Sequence, residues 1–282
     1  MADSSKGTAA RSGASPRVLV LANQKGGVGK TTTAINLATA LAAVGERVLV
    51  IDLDPQGNAS TGLGIDLGDR LVSTHDVLMG SASIVSSATP TAIPRLYVAP
   101  STLDLLGAEA NLSADKRRTF KLRDAIASMV ETAVSGGHEG FGYILIDCPP
   151  SLNLLTINAL AAADAVLVPL QCEFFALEGL SQLLQTVDQV RDTLNPRLSI
   201  HGVVLTMFDK RNNLSGQVAN DVRKYLGNKV YDTVIPRNVR VSEAPSHGKP
   251  VLLYDYACSG SQAYIKLASE VIRRERGNNT VR

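Results

Sequence analysis

The stretch NQKGGVGKTT, residues 23–32, contains the residue types that bind phosphate groups. Gly29–Thr31 match the end of the G-x-x-x-x-G-K-[ST] pattern, whose amides and lysine bind phosphates and whose hydroxyl is placed for Mg²⁺. Gln24 stands where the pattern opens with glycine, and Lys25 adds a second cation. The predicted phosphate-binding residues are Lys25, Gly26, Gly27, Val28, Gly29, Lys30, Thr31 and Thr32.

Strand and helix patterns alternate around this loop. Short apolar, β-branched runs predict strands at 17–22, 47–52, 96–101, 143–148, 165–170, 199–206 and 230–236. Helical patterns occupy 30–44, 115–136, 152–161, 177–194, 214–226 and 260–275, and the stretch 57–95 is the least regular. Such alternation predicts an α/β fold: a single domain with a mostly parallel twisted sheet and helices on both faces.

Acidic residues follow two of the predicted strands. Asp52 and Asp54 come at the end of the second run, and Asp147 ends the run YILID. Ligands of parallel α/β folds bind at the carboxyl ends of the strands. We therefore expect these carboxylates to share one site with the phosphate-binding loop.

The amino-acid composition limits the classes of protein to which this chain can belong. The 282 residues are 45% hydrophobic but only 4% aromatic, so aliphatic side chains must fill a large core. No apolar run reaches the ~18 residues that span a bilayer, and Cys148, Cys172 and Cys258 lack metal-like spacing. We expect a disordered tail at 1–16, one domain at 17–276 and a flexible tail at 277–282.

Charge is unevenly distributed along the chain. From Pro196 onward there are 14 basic and 7 acidic residues, whereas the preceding part has 14 basic and 19 acidic residues. The basic C-terminal third indicates a polyanionic partner, although a mixed solvated surface is an equally simple interpretation.

The run K-G-G-x-G-K-T-T resembles the deviant Walker A loop of the ParA/MinD/Soj ATPases, a branch of the P-loop NTPases. The resemblance extends over about residues 17–275. It implies that Lys25 crosses a homodimer to the phosphates of the partner, with Lys25, Lys30 and Asp54 as the catalytic residues. A second cation at the γ-phosphate stabilises the charge that develops in phosphoryl transfer.

Further motifs extend the resemblance. VLVIDLDPQGNAS resembles the second acidic motif of the family, in which Asp54 orients the attacking water, and YILIDCPPS resembles Walker B. The implied ligands are ATP and Mg²⁺, with Thr31, Asp54 and Asp147 at the metal and Met207, Pro236, Arg237 and Asn238 near the adenine.

The segments LQCEFFALEGLSQLL, LTMFDKRNNL and VIPRNVRVSEAPSHGKPVLLYD resemble the chromosomal ParA/Soj branch. This branch implies ATP-driven homodimerisation, a ParB-type centromere-binding partner that stimulates hydrolysis, and non-specific binding of double-stranded DNA. It also implies a cytoplasmic, nucleoid-associated protein without a membrane partner. Candidate DNA contacts are Arg211, Arg223, Lys224, Arg240, Lys249, Arg273 and Arg274, of which Arg211 and Arg240, in loops beside strand ends, are preferred.

Three other classes share parts of this pattern. A MinD-like membrane ATPase needs a C-terminal amphipathic helix that lies on lipid, whereas this chain ends in polar GNNTVR. An iron–sulfur reductase of this fold needs paired cysteines. A metabolic ATP-dependent ligase needs polar substrate-binding residues that the sequence alone does not identify.

Overall fold

A computed structural model describes residues 15–279 as one α/β unit built around an eight-stranded sheet. The strands are β1 Arg17–Leu21, β2 Val48–Asp52, β3 Thr89–Pro90, β4 Leu96–Ala99, β5 Tyr143–Asp147, β6 Ala165–Gln171, β7 Ser199–Phe208 and β8 Val230–Pro236. Their spatial order is β3-β4-β2-β5-β1-β6-β7-β8. All neighbouring pairs are parallel except β3–β4, which is antiparallel.

Twelve α-helices connect or follow these strands within the described part of the chain. They are α1 Lys30–Ala43, α2 Asn58–Gly62, α3 Thr74–Met79, α4 Ile84–Ser87, α5 Ala108–Asn111, α6 Lys121–Ser135, α7 Leu154–Ala162, α8 Ala176–Thr193, α9 Asn213–Leu226, α10 Val239–Glu243, α11 Val251–Tyr254 and α12 Ser259–Asn279. The predicted fold class is therefore confirmed.

Two apolar layers cover the two faces of the sheet. One contains side chains of α6, α7, α8 and α9, and the other contains those of α1, α11 and α12. In α8 the buried residues Ala176, Leu180, Leu183, Val187 and Val190 recur at helical spacing, so one apolar stripe faces the sheet. Because both faces are covered, the central strands β2 and β5 are buried at every residue.

Three details differ from the sequence-based expectations. The expected helix at 115–136 begins at Lys121, after a 3₁₀ turn over Arg118–Phe120. The irregular stretch 57–95 contains three short helices and the antiparallel edge strand β3. The helix α12 continues to Asn279, so helical structure enters the segment expected to be a flexible tail from 277. Most of the expected N-terminal tail, residues 1–14, lies outside the described residues, as do 280–282.

The seven parallel strands give the sheet two chemically distinct ends. We call the end at which these strands finish the carboxyl edge, and the opposite end the amino edge. The phosphate-binding loop follows β1 at the carboxyl edge, and Asp52 and Asp147 are register partners at the same edge. The fold thus brings together three groups of residues that the sequence distributes between position 23 and position 147.

Candidate functional site

The loop between β1 and α1 is held in a shape that glycine makes possible. Gly27 has φ 74° and Gly29 has φ 88°, both in the left-handed region that residues with a side chain rarely adopt. Asn23 fixes the start of the loop: its Nδ2 donates to the Pro169 carbonyl at 2.8 Å, and its Oδ1 accepts from the Lys25 amide at 3.0 Å. The loop is therefore preformed next to β6.

Lys30 opens α1 and is 6% exposed. Its ammonium donates to the Lys25 carbonyl at 3.0 Å, so the side chain curls back over the loop. Burial lowers the pKa of Lys30, while Asp147 is the strongest of the neighbouring groups that oppose this shift. A buried cation with one carbonyl partner is suited to receive an anion.

Asp147 ends the central strand β5 and is fully buried. Neither of its carboxylate oxygens completes a hydrogen bond within the described residues. Burial raises the pKa of Asp147 well above its ordinary value, and Asp52 adds to the rise, whereas the nearby Thr31 hydroxyl and Lys30 lower it. A buried carboxylate without partners is costly unless a ligand supplies them.

The two acidic residues after β2 differ in what they contact. Both oxygens of Asp52 are used: Oδ2 accepts from the amide and hydroxyl of Ser60 at 2.8 and 2.7 Å, and Oδ1 accepts from the Asp54 amide at 3.2 Å. Burial nevertheless raises the pKa of Asp52 to about 6. Asp52 therefore holds the chain after β2, as a support for Asp54.

Asp54 keeps more of its carboxylate available. Its Oδ1 accepts from the Gln56 amide at 3.0 Å, and no other hydrogen bond to this carboxylate is present among the described residues. The Asp54 carbonyl accepts from the Ser101 hydroxyl, which ties the residue to the loop after β4. The side chain is thus positioned from both sides, as a group that orients a reactant needs to be.

A buried arginine that the sequence analysis missed supports this segment. Arg70 donates to the carbonyls of Ser101 at 2.9 Å and Ile65 at 3.1 Å, and to the Thr61 hydroxyl at 2.7 Å. A Cβ atom at Gly57 would collide with the Arg70 guanidinium, so glycine is required there. No local motif marks Arg70, because its role depends on tertiary contacts.

The residues present fit a magnesium ion. Mg²⁺ prefers oxygen ligands, and Thr31, Asp54 and Asp147 bring a hydroxyl and two carboxylates to one edge of the sheet. The two unpaired oxygens of Asp147 are the observation that favours a cation there. No cluster of three or more His, Cys, Asp or Glu suited to a metal occurs among residues 15–279.

Lys25 lies on the outside of the loop. Its side chain is 42% exposed, and its ammonium pairs with Glu173 Oε1 at 2.5 Å. A Cβ atom at Gly26 would lie 4.0 Å from that of Pro150, so the loop and the Walker B segment are neighbours at the surface. Glu173 lies within the segment LQCEFFALEGLSQLL, but nothing in that sequence pattern predicts its contact with Lys25.

The residues expected near the adenine lie at the ends of β7 and β8. Met207 has φ 49°, unusual for a residue with a side chain, and its methyl carbon would be 3.8 Å from a Cβ at Gly29. The Arg237 amide donates to the Phe208 carbonyl at 3.0 Å, which continues the pairing of β7 with β8 at Pro236. The Asn238 side chain is already used, because it caps α10 through the Arg240 amide at 2.8 Å and donates to Ser259 at 2.9 Å.

The candidate DNA contacts fall into separate groups. Arg211 lies in the turn after β7, as expected, whereas Arg240 lies in the short helix α10 after β8 and not in a loop; both are near the carboxyl edge. Lys249 is exposed in the loop before α11. The remaining four, Arg223, Lys224, Arg273 and Arg274, lie in the later turns of α9 and α12, toward the amino edge. The expected basic surface is therefore divided.

Arg274 has a structural role at the amino edge. Its Nη2 donates to the Val230 carbonyl at 2.8 Å and to Glu270 Oε1 at 2.9 Å, and its guanidinium lies 4.1 Å from the Tyr231 ring centroid. These contacts attach α12 to β8. Arg274 is consequently a less suitable phosphate ligand than the sequence predicted.

Comparison with known proteins identifies the family. A sequence profile described as an AAA domain matches residues 16–200. The chromosome partitioning protein ParA of Caulobacter vibrioides is 65% identical over 260 residues, which cover 92% of this chain and 95% of that protein. This chain belongs to the ParA/Soj family of chromosome-partitioning ATPases. The sporulation initiation inhibitor protein Soj of Bacillus subtilis, another ParA/Soj protein, is 51% identical over 90% of this chain and 98% of its own length.

Solved structures extend the comparison of the ParA/Soj chain to bound ligands. A protein described as cobyrinic acid a,c-diamide synthase from Mycobacterium smegmatis, with ATP analogue and magnesium bound, superposes with a TM-score of 0.79. It is 36% identical, and the alignment covers 93% of this chain and 97% of that one. Nucleotide and magnesium binding are thus properties of structural relatives. No helix in the described part of the ParA/Soj chain is long and apolar enough to cross a membrane.

Proposed function

We propose that this ParA/Soj chain is a Mg²⁺-dependent ATPase that converts ATP to ADP and phosphate. The observation that carries the proposal is Asp147, a fully buried carboxylate at the end of a central strand with no completed hydrogen bond among residues 15–279. The buried Lys30 and the phosphate-binding loop lie beside it. An ion and a phosphate group together would satisfy both buried charges.

Each side chain has a separate task in this scheme. Lys30 binds the terminal phosphates, while Thr31, Asp54 and Asp147 hold Mg²⁺. When bound, Mg²⁺ neutralises negative charge on the phosphate oxygens. Asp54 orients the attacking water, since its carboxylate is fixed through Oδ1 alone and its main chain is tied to Ser101. The adenine lies against Met207 and the main chain of Pro236–Asn238.

Catalysis is completed by a second copy of the chain. The Lys25 side chain is exposed at the outer surface of the loop, where its ammonium pairs with Glu173, and its main-chain carbonyl, not its ammonium, contacts the buried Lys30. In a dimer that joins two carboxyl edges, Lys25 reaches the phosphates of its partner and adds a cation to the transition state. Gly26 and the segment Pro149–Ser151 lie near this interface, so turnover is slow until a dimer forms.

The ATP-bound dimer binds duplex DNA without sequence preference, and a ParB-type partner stimulates hydrolysis and release. Dimerisation doubles the number of basic residues presented to DNA. Arg211, Arg240 and Lys249 supply phosphate contacts, which carry affinity but no sequence information. The result is ATP-dependent association with the nucleoid.

Two other functions are the alternatives to DNA partitioning. A MinD-like ATPase on a membrane surface would bind lipid in place of DNA. A diamide synthase activity is the printed description of a structural relative, but that relative is 36% identical, whereas the ParA protein is 65% identical. Partitioning is therefore favoured by the nearer relatives.

The decisive experiment measures DNA binding across a salt series with ATP and with ADP, for wild type, Arg211→Glu and Arg240→Glu. We expect wild-type binding that requires ATP, falls steeply with salt and varies little between unrelated duplexes. Both variants should weaken binding while ATP-driven dimerisation persists. The matched control is Arg117→Glu, an exposed arginine that also pairs with an aspartate, at 2.6 Å. Equal binding in ATP and ADP, or strong preference for one duplex, would contradict the proposal.

A further inference from the structure

The leucines with the largest exposed fraction in the described chain lie together at the carboxyl edge. Leu67 is 75% exposed, Leu71 is 88%, Leu103 is 61% and Leu106 is 69%. Two short segments carry them. The first is the 3₁₀ turn Leu67–Asp69 with the residues that follow it, and the second is the 3₁₀ turn Leu103–Gly107 after β4. We call these four side chains the leucine surface.

Hydrogen bonds join the two segments. The Arg70 guanidinium donates to the Ser101 carbonyl at 2.9 Å, and the Thr74 amide donates to the Pro100 carbonyl at 2.8 Å. These two bonds lie on either side of Leu71 in the chain, and both reach the residues directly before the second segment. The exposed leucines of the two segments therefore belong to one surface.

The exposure of these leucines is not a consequence of loose packing. Leu105 lies between Leu103 and Leu106 in the chain, and it is buried in the core. Leu71 follows Arg70, which is also buried. Each segment is thus fixed by a buried neighbour and still presents its leucines to water. Apolar side chains grouped on the surface of a well-packed protein mark a site of interaction.

The charged residues nearest to the leucine surface in the chain are acidic. Asp66, Asp104 and Glu109 are exposed and form no ion pair with any cation in residues 15–279. The stretch 55–114 contains two arginines. Arg70 is buried, and Arg95 precedes β4 at the amino edge. The leucine surface therefore combines apolar area with uncompensated negative charge.

This combination restricts what can cover the surface. DNA and anionic lipid are repelled by the carboxylates. A second copy related by a two-fold axis would bring the same carboxylates face to face, and like charges across an interface are unfavourable. Residues 1–14 are net basic, but Met1 is their one large apolar side chain, too little to cover four leucines. A segment with an apolar stripe and basic flanks matches both properties.

We propose that the leucine surface docks a basic amphipathic helix of a partner protein. Apolar residues at i, i+3, i+4 and i+7 of that helix pack on the leucines, and its lysines or arginines pair with the surrounding carboxylates. The inference goes beyond the proposed function, which uses none of these leucines. A helix docked here lies against the chain that positions Asp54, because the Ser101 hydroxyl donates to the Asp54 carbonyl.

The test measures fluorescence anisotropy of three labelled synthetic peptides of about 18 residues, long enough for an alanine-rich helix. The basic peptide carries leucines at i, i+3, i+4 and i+7 on an alanine and lysine background. The scrambled peptide has the same composition without the stripe, and the acidic peptide has glutamate in place of lysine. We expect wild type to bind the basic peptide with a Kd below ~100 µM and the other two at least ~10-fold more weakly.

The variant Leu71→Ser, Leu103→Ser removes one exposed leucine from each segment. Loss of two apolar contacts should weaken binding of the basic peptide by at least about tenfold. The matched control is Val85→Ser, Val134→Ser, at two exposed apolar side chains elsewhere on the fold, and it should bind as wild type does.

A charge variant, Asp66→Asn, Asp104→Asn, leaves every leucine in place. It should weaken binding of the basic peptide about fivefold at low salt, and the difference from wild type should shrink as salt is added. This variant decides the question by itself if the leucine variant does not fold, as judged by its midpoint of thermal unfolding.

Three results would overturn the proposal: no binding of the basic peptide by wild type, equal binding by wild type and both variants, or equal binding of the scrambled peptide. Light scattering with Mg-ATP tests the other occupant. A folded leucine variant that stays one chain where wild type doubles in mass would assign the surface to a second copy and would also overturn the proposal. A wild type that stays one chain with Mg-ATP would contradict the proposed dimer, while the peptide measurements would still decide the docking site.

Discussion

The two edges of the sheet bury charge in opposite ways. At the carboxyl edge, within the part of the chain that the structure describes, Asp147 has no completed hydrogen bond and Lys30 has a single carbonyl partner. At the amino edge, Glu270 and Glu275 are also buried, but Glu270 accepts from the Asp232 and Thr233 amides, and Glu275 pairs with Arg17 and lies 2.8 Å from His201 Nε2. Both edges contain buried carboxylates, so burial alone does not distinguish a binding site from a structural network.

What distinguishes the binding site from the structural network is whether the buried charged groups have hydrogen-bond or ion-pair partners. A buried charge without a partner costs free energy that the fold alone does not recover, so its persistence points to a ligand. A buried charge with good partners stabilises the attachment of one element to another, although its net contribution is often small. The difference predicts that mutations at the two edges will have opposite effects on stability and on activity.

The largest expected effects are on catalysis at the carboxyl edge. Lys30→Ala should abolish ATP binding, because it removes the buried cation beneath the terminal phosphates. Asp54→Ala should retain ATP binding and reduce hydrolysis about 10²–10⁴-fold, the range for losing a group that handles the reacting proton. Phosphate release measures hydrolysis and nucleotide titration measures ATP binding, so the two assays together distinguish Lys30→Ala from Asp54→Ala. Asp69→Ala, at an exposed aspartate, is the control, and wild-type turnover by Asp54→Ala would show that its role is misassigned.

At the amino edge we expect a loss of stability with ATP binding intact. Glu275→Gln breaks a buried pair with Arg17 and His201 and should lower the free energy of unfolding by about 3 kcal/mol. Urea denaturation measures the free energy of unfolding, and nucleotide titration checks that ATP binding is retained. A variant as stable as wild type would show that the network is not stabilising.

The same variant has a defined pH dependence. Burial tends to raise the pKa of Glu275, but hydrogen bonding to His201 and the charge of Arg17 outweigh it, so the pKa lies below the ordinary value of 4.5. A lowered pKa in the folded state gives stability that is present above 4.5 and lost as pH falls through the folded value. The gap between wild type and Glu275→Gln should therefore narrow in acid, and a gap that widened would contradict the assignment.

Asp147→Asn should change the free energy of unfolding in the opposite direction from Glu275→Gln. Removal of a buried charge without partners should stabilise the nucleotide-free protein by about 1–2 kcal/mol. The additional stability that Mg-ATP confers on wild type should disappear in the variant, because the cation site is lost. Thermal unfolding with and without Mg-ATP measures both effects. A destabilised variant that still responds to Mg-ATP would mean that Asp147 is structural.

The smallest effect concerns the exposed pair of Lys25 with Glu173. Exposed ion pairs contribute ~0.2–1 kcal/mol, so Glu173→Gln should favour ATP-driven association by at most about fivefold. Released from its own chain, Lys25 becomes available to a partner. Dimer dissociation constants for this variant and for Glu178→Gln, at an exposed glutamate on α8, provide the comparison. Weaker association would mean that Glu173 supports the dimer.

The sequence predicted more of the carboxyl edge than of the amino edge. The loop from Asn23 and the aspartate of β5 follow local motifs, so their roles could be inferred without a structure. Arg70 and Glu173 could not, because their partners are distant in sequence and only the fold brings them together. The strand Thr89–Pro90 was missed because two residues in an irregular stretch give no periodic pattern. The division of the basic residues between the two edges likewise depends on where helices end.

The most direct test of the nucleotide site is the solution mass of Asp54→Ala with Mg-ATP and with Mg-ADP, measured by light scattering over a range of concentrations. If two carboxyl edges join around bound ATP and Lys25 completes the partner site, the mass doubles with ATP and remains that of one chain with ADP. The same measurement on Gly26→Val should give one chain in both, since a side chain would occupy the contact between the loops. A monomer with ATP at every concentration of Asp54→Ala would contradict a site built to be completed by a second copy.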